Sequence, residues 1–107
     1  MATVGKIDLK ADRDASAAVE ISVSELFSYA ERTKKVTLDT DVTRDQTKLK
    51  VTIAKLGTLD IIADTTEKKD GQASLFTLMK RDDLWKKIKA SKAIKKEDTL
   101  TVNIETV

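Results

Sequence analysis

The sequence predicts one α+β domain, with antiparallel sheets of about seven strands and two helices. Short runs of alternating apolar and polar residues recur along the 107-residue chain, and such runs are typical of half-buried strands. Two other segments space their apolar residues as helices do. The chain has no proline, linker or low-complexity segment that would divide it, so residues 1–107 are expected to form a single domain.

The first part of the chain predicts two strands and a helix. Residues 6–12 and 19–23 alternate, which indicates two strands. Ser22 and Glu25 have the spacing of a capping box, in which each side chain binds a free backbone N–H of the first helical turn. We therefore expect a helix over 23–34. Its buried face is expected to contain Val23, Leu26, Phe27 and Ala30.

The middle and the end of the chain return to a period of two. The runs 35–42, 49–53 and 59–63 follow one another with short connections, which predicts an antiparallel meander. A further strand is expected around 73–79. Residues 99–106 give the clearest alternation in the chain. The side chains of this last strand that we expect to be buried are Leu100, Val102 and Ile104.

Residues 79–96 carry most of the positive charge and are predicted to form the second helix. The segment has eight basic residues, whereas the whole chain has a net charge of only +2. Asp82 and Asp83 suit the first turn of a helix, and the lysines follow toward its C-terminal end. Leu84, Trp85 and Ile88 form one apolar face, so Trp85 is expected in the core rather than as a base-stacking surface. The lysines form either a solvated face or a surface for a polyanion.

Composition excludes most catalytic chemistry. The chain has neither histidine nor cysteine, so it lacks the commonest general base, the commonest metal ligand and the thiol nucleophile. We therefore expect a non-enzymatic protein without a metal or a cofactor. The sequence shows no signal peptide and no long apolar run, which favours a cytoplasmic protein that does not associate with membranes.

The sequence also contains an internal repeat. Residues 5–12 (GKIDLKAD) match residues 57–64 (GTLDIIAD) at an offset of 52. Residues 24–27 (SELF) are similar in character to residues 82–85 (DDLW), at an offset of 58. These matches predict a pseudo-twofold domain with repeat halves of about 5–43 and 57–106, in which the two helices lie side by side on one face.

With this layout, the chain resembles one domain of a DNA sliding clamp, a ring-shaped processivity factor of DNA replication. The resemblance is carried by residues 7–40 (IDLKADRDASAAVEISVSELFSYAERTKKVTLDT) and 48–64 (KLKVTIAKLGTLDIIAD), with 73–107 as the opening of a permuted second unit. It implies helices that line a central hole and basic residues that contact DNA without sequence preference. A single domain of this kind would form a homo-oligomeric ring or be a relative that forms none.

The resemblance implies that the domain binds duplex DNA through its basic helix and self-associates edge to edge. The expected DNA-binding residues are Lys80, Arg81, Lys86, Lys87, Lys89 and Lys92, with Arg32, Lys34 and Lys35 as a weaker counterpart. The alternative is a small protein-interaction or regulatory module that binds an acidic protein partner and no DNA.

A second resemblance involves the entry into the last strand. Residues 95–102 (KKEDTLTV) resemble the GD box, the glycine–aspartate turn that precedes a strand in cradle-loop barrels such as the double-psi fold. Glu97 stands where the GD box has its glycine. Those barrels include DNA-binding regulators and protein-recognition modules.

Overall fold

The fold contains antiparallel sheets and one-turn helices. A computed structural model describes residues 3–39, 48–63, 70–80 and 82–107, which contain eight strands and three helices. The strands are β1 (Thr3–Lys10), β2 (Glu20–Ser22), β3 (Val36–Thr37), β4 (Lys48–Ile53), β5 (Gly57–Ile62), β6 (Gln72–Ala73), β7 (Lys87–Lys89) and β8 (Thr99–Thr106). The helices are α1 (Val23–Leu26), α2 (Tyr29–Arg32) and α3 (Leu75–Leu78). The predicted α+β class with antiparallel sheets is confirmed.

Eight-residue strand β8 lies at the centre of the main sheet. This sheet has the order β1-β8-β4-β5, and each neighbouring pair is antiparallel. Two short ribbons, β2–β7 and β3–β6, complete the strand pairing that the structure describes. Leu100, Val102 and Ile104 of β8 are buried, as predicted, because alternation points them to the same side of the sheet.

The strand register is symmetric between the two halves of the chain. In the ribbons, Ile21 pairs with Ile88 and Val36 pairs with Ala73. Ile21 and Ala73 are 52 positions apart in the sequence, and so are Val36 and Ile88, so each pair is the repeat counterpart of the other. In the main sheet, Val51 pairs with Ile104 and Ile53 pairs with Val102, related in the same way by an offset of 51. The pairing therefore has the pseudo-twofold relationship that the match between residues 5–12 and 57–64 indicated.

The core is almost entirely aliphatic and receives side chains from both halves. Phe27 is its one aromatic ring among the buried described residues. The first strand approaches β3 so closely that a Cβ atom on Gly5 would lie 2.8 Å from Cδ2 of Leu38. The backbone N–H of Asp39 also donates to the carbonyl of Val4, at 2.9 Å. Strand β1, at one edge of the main sheet, is thus covered by β3.

The predicted helix over 23–34 is instead two helices with a break between them. Phe27 and Ser28 adopt extended backbone conformations, and Phe27 directs its ring into the core. The hydroxyl of Ser28 accepts a hydrogen bond from the N–H of Glu31 at 3.3 Å, which starts α2 in a new direction. The prediction that Ala30 is buried is wrong, because α2 turns it toward solvent.

The predicted basic helix over 79–96 is wrong. The helix of this half is α3, within the segment that was expected to be a strand. The Ser74 hydroxyl starts α3 by accepting a hydrogen bond from the N–H of Thr77 at 3.2 Å. The described residues that follow form a turn and then β7, because β2 recruits 87–89 as its partner. Tertiary pairing therefore overrides the local apolar spacing.

Two further predictions need correction. The hairpin of β4 and β5 is confirmed, but β3 pairs with β6, so the predicted three-stranded meander is wrong. Part of the predicted strand 35–42 lies outside the described residues. The proposed match of 24–27 with 82–85 is also wrong, since 82–85 is a turn and α1 corresponds to α3 at the offset of 52.

Candidate nucleic-acid interface

The turn at 82–85 exposes Trp85 because its neighbour Leu84 occupies the core. The N–H of Leu84 donates to the carbonyl of Met79 at 2.9 Å, and the carbonyl of Leu84 accepts from the N–H of Ser24 at 3.2 Å. These bonds fix the Leu84 side chain inward, where it is fully buried. The Trp85 side chain points outward and is 62% exposed, so the prediction that it belongs to the core is wrong.

Lys86 follows the indole but is held by the protein. Its ammonium nitrogen lies 2.7 Å from Oδ1 of Asp83, whose side chain is mostly buried. This short contact raises the pKa of Lys86, and the carboxylates of Asp82 and Asp60 add to the effect. Because its charge already balances a buried carboxylate, Lys86 is a poor candidate for a phosphate contact.

Lys87 and Lys89 point to the same outer face of the β2–β7 ribbon. Alternation puts Ile88 between them on the inner side, half-buried against the core. The ammonium of Lys87 lies 3.6 Å from Oε1 of Glu25, and Lys89 stands opposite Glu20 in the register. Both lysines stay exposed to solvent.

The next three lysines, Lys92, Lys95 and Lys96, follow β7 along the chain and are exposed. Backbone hydrogen bonds hold this stretch: the N–H of Lys92 donates to the carbonyl of Lys55 at 3.1 Å, and the N–H of Lys95 donates to the Asp98 carboxylate at 2.9 Å. The second bond lowers the pKa of Asp98, with help from the ammonium of Lys55. In the part of the chain with described side chains, no ion pair occupies the ammonium of Lys89, Lys92, Lys95 or Lys96.

The predicted counterpart around α2 lies on different elements. Lys34 forms an ion pair with Glu31, and Lys35 is exposed just before β3. The guanidinium of Arg32 lies against the rings of Tyr29 and Phe76. Arg32, Lys34 and Lys35 therefore do not extend the series of lysines that begins on β7. Of the other predicted residues, Lys80 is half-buried after α3, and Arg81 lies outside the described residues.

The DNA-binding residues expected from the sequence did not include Lys95 and Lys96, which are exposed in the same segment. Both lysines belong to the basic segment 79–96, and its concentration of positive charge was the signal that could have added them to the predicted site. Sequence reasoning also missed the surface position of Trp85 and the contact between Tyr29 and Phe76. No local signal reveals either feature, because each depends on how distant segments pack.

The described residues contain neither a metal-binding cluster nor a membrane-spanning helix. Among them, no three carboxylate, imidazole or thiolate groups gather as a metal site would require. Each described helix has four residues, and none is long and apolar enough to cross a membrane.

Comparisons with protein-family models, with curated proteins and with solved structures found no match to this chain.

Proposed function

We propose that this domain is a non-enzymatic nucleic-acid-binding module that reads no sequence. The proposed site, the basic face, consists of Trp85, Lys87, Lys89, Lys92, Lys95 and Lys96. The observation that carries the proposal is the 62% exposed indole of Trp85, followed along the chain by these exposed lysines. An exposed aromatic ring beside cationic groups offers a base something to stack on and a phosphate something to pair with.

The exposed indole favours single strands over the duplex DNA that the sequence predicted. The lysines would attract the phosphates of either form, because counterion release does not depend on base pairing. A free indole adds binding energy only where a base has an open face, and duplex bases are stacked on each other. We therefore propose binding to both forms, with a preference for single strands.

The sliding-clamp interpretation expected the DNA contacts on a basic helix, and the described residues of 79–96 form no such helix. Residues 87–89 form a strand, and the described helices are single turns. A replication role and homo-oligomerisation stay predictions. Light scattering at several protein concentrations tests the second, and a strict monomer would exclude a ring.

The single tryptophan makes the proposal directly testable. Because Trp85 is the one tryptophan in the chain, its fluorescence reports on the proposed site alone. We expect a thymidine oligonucleotide of about ten bases to quench it strongly, and the matched duplex to quench it less. Binding should weaken as salt rises, with a log–log slope of about −0.7 per phosphate contact on a single strand.

Charge reversal separates the basic face from general electrostatics. The double variant Lys89→Glu with Lys92→Glu should abolish the quenching of Trp85 fluorescence by the oligonucleotide. If binding remains measurable, the log–log slope of affinity against salt should be reduced by about 1.4 on a single strand, because two phosphate contacts are lost. The matched control is Lys6→Glu with Lys48→Glu, which makes the same charge change on exposed positions of β1 and β4. Equal losses in both doubles would contradict the proposal. Lys86 is avoided because its replacement would unbalance Asp83.

The alternative partner, an acidic protein, predicts a different competition result. Polyglutamate of similar charge offers carboxylates for the lysines but no bases for Trp85. If polyglutamate binds as tightly as the oligonucleotide at matched salt, the acidic-protein function replaces the proposed one.

A further inference from the structure

We propose that Tyr29, Arg32 and Phe76, the aromatic cluster, form a second nucleotide-binding site on this domain. The inference rests on the proposed function, since it assumes a nucleic-acid ligand. It adds a site on α2 and α3, which are not the elements that carry the basic face. The ligand class is a single-stranded nucleotide segment, bound through a base and its phosphate.

The two rings meet across elements that are far apart in the chain. Their centroids are 5.5 Å apart, with an angle of 57° between the ring planes. Phe76 is partly buried and packs against the core, so it anchors the cluster. Tyr29 is 61% exposed although its ring contacts Phe76 and Arg32, which leaves part of the residue open to a ligand. An aromatic side chain with only a core-packing role would be buried more deeply.

Arg32 adds a fixed positive charge to these rings. Its guanidinium carbon lies 5.8 Å from the Tyr29 centroid and 5.9 Å from the Phe76 centroid. Its Nε donates to the carbonyl of Phe27 at 3.0 Å, which orients the guanidinium plane. Among the described side chains, no carboxylate forms an ion pair with Arg32. Its terminal amino groups can therefore donate to a phosphate.

The nearest carboxylate on the same helix is already engaged. Glu31 accepts a hydrogen bond from the backbone N–H of Lys10 at 3.0 Å and forms an ion pair with Lys34. Among the described side chains, Glu31 forms no ion pair with Arg32. Exposed Lys35 follows a few residues later and adds positive charge near the end of α2.

A nucleotide uses every part of this cluster, whereas an acidic peptide does not. A base can stack on Tyr29, and its phosphate can accept hydrogen bonds from Arg32. A run of carboxylates would satisfy Arg32 but leave the exposed ring without a partner. The cluster is therefore assigned to single-stranded nucleic acid, with the acidic peptide as an outcome of the test.

The chain has one tyrosine and one tryptophan, so fluorine labels can observe the two sites separately. Labelling with 3-fluorotyrosine and 5-fluorotryptophan places one ¹⁹F resonance at Tyr29 and one at Trp85. The labelled full chain is titrated with a thymidine oligonucleotide of about ten bases, with its duplex and with polyglutamate. We expect the oligonucleotide to shift both resonances, and the duplex and polyglutamate to leave the Tyr29 resonance nearly unchanged.

Failure of the inference differs from failure of the proposed function. If Trp85 shifts and Tyr29 does not, the cluster is not a nucleotide site, while the basic face stands. A Tyr29 shift without a Trp85 shift supports the cluster and contradicts the basic face. If polyglutamate shifts Tyr29 as strongly as the oligonucleotide does, the cluster is a site for acidic peptides and the inference is overturned.

Variants supply an independent measurement through the anisotropy of a labelled oligonucleotide. Tyr29→Ala should weaken single-strand binding about tenfold, whereas Tyr29→Phe keeps the ring and should bind normally. Arg32→Lys keeps the charge but loses the planar guanidinium, so it should also weaken binding. Circular dichroism checks that each variant is folded. We expect the Tyr29 variants to fold, because Tyr29 is largely exposed. Normal binding by Tyr29→Ala would overturn the inference.

Discussion

The ammonium nitrogen of Lys86 lies 2.7 Å from Oδ1 of Asp83, a residue that is only 8% exposed. Burial of an unpaired carboxylate is costly, so the main role of Lys86 is to compensate the charge of Asp83. The pair lies beside Trp85, in the turn that precedes β7. The turn at 82–85, which exposes Trp85, is therefore stabilised by Lys86, a residue that was predicted from the sequence to contact DNA.

Removing Lys86 alone should destabilise the domain more than removing both partners. Lys86→Gln leaves the buried Asp83 carboxylate uncompensated, whereas Lys86→Gln with Asp83→Asn removes both charges. Thermal unfolding should give a lower Tm for the single variant than for the double. Lys89→Gln, which also loses an exposed lysine of this segment, is the control and should melt near the native protein. A single variant as stable as that control would mean that the pair contributes nothing.

Glu31 should contribute stability at neutral pH that disappears in acid. The hydrogen bond from Lys34 lowers the pKa of Glu31, the backbone N–H of Lys10 lowers it further, and burial opposes both. A folded-state pKa below the unfolded value of 4.5 stabilises the fold above that pH, and the gain is lost as pH falls through the lowered value. Glu31→Gln should therefore cost about 1 kcal/mol at neutral pH and less in acid.

Urea denaturation at pH 7 and at about pH 3 measures this difference. Exposed Glu20 provides the control variant Glu20→Gln, which should change the unfolding free energy little. If Glu31→Gln loses equally at both pH values, its effect is one of packing rather than of charge.

Gly5→Ala should destabilise the domain by steric conflict. The new Cβ atom would lie 2.8 Å from Cδ2 of Leu38 and 3.2 Å from Cγ1 of Val36, so these buried side chains would have to shift. We expect a loss of about 1–3 kcal/mol in the free energy of unfolding. In a Leu38→Ala background the same substitution should cost less, because the nearest atom is gone.

Gly71→Asn is the control for glycine replacement without crowding. Gly71 has a φ of +73°, which asparagine tolerates, and the nearest atom to an added Cβ is the carbonyl of Leu38, at 4.0 Å. Its cost should stay at about 1 kcal/mol or below. A Gly5→Ala variant no less stable than Gly71→Asn would contradict the close approach of β1 to β3.

Glu97→Gly should leave stability unchanged or raise it. Glu97 adopts a φ of +78°, in the left-handed region that costs an L-residue about 1–2 kcal/mol, and glycine has no such cost there. Against this stand about 0.5–1 kcal/mol of glycine entropy and a weak exposed ion pair with Lys10. Glu97→Ala removes the ion pair but keeps the strain, so chemical denaturation should rank Glu97→Gly above it. The reverse order would mean that the turn is unstrained.

Long alternating strands could be predicted from the sequence, and the short helices could not. Residues 99–106 and the hairpin of β4 and β5 follow directly from alternation because each is long enough to show a period. Helices of four residues are too short for a periodic signal and form through tertiary packing, aided by the caps Ser28 and Ser74. The pattern over 79–96 was misleading because Leu84 is buried in a turn and Ile88 is half-buried in a strand, at a spacing that a helix also permits.

The candidate site was predictable as a charge but not as a surface. Lysines close together in sequence are a local signal, and Lys87, Lys89, Lys92, Lys95 and Lys96 are all exposed. The exposure of Trp85 depends on Leu84 filling the core, and the contact of Tyr29 with Phe76 joins helices 47 positions apart in the sequence. Such contacts require the whole fold.

The symmetric register has a consequence for how the chain can come apart. If the halves are divided at the turn between β4 and β5, every strand pairing in the described residues joins one half to the other. Among the described residues, neither half forms a sheet from its own strands alone. Neither half can therefore unfold while the other keeps its strand pairing. A chain of half this length could complete its pairing only by exchanging strands with a second copy, as intertwined homodimers do.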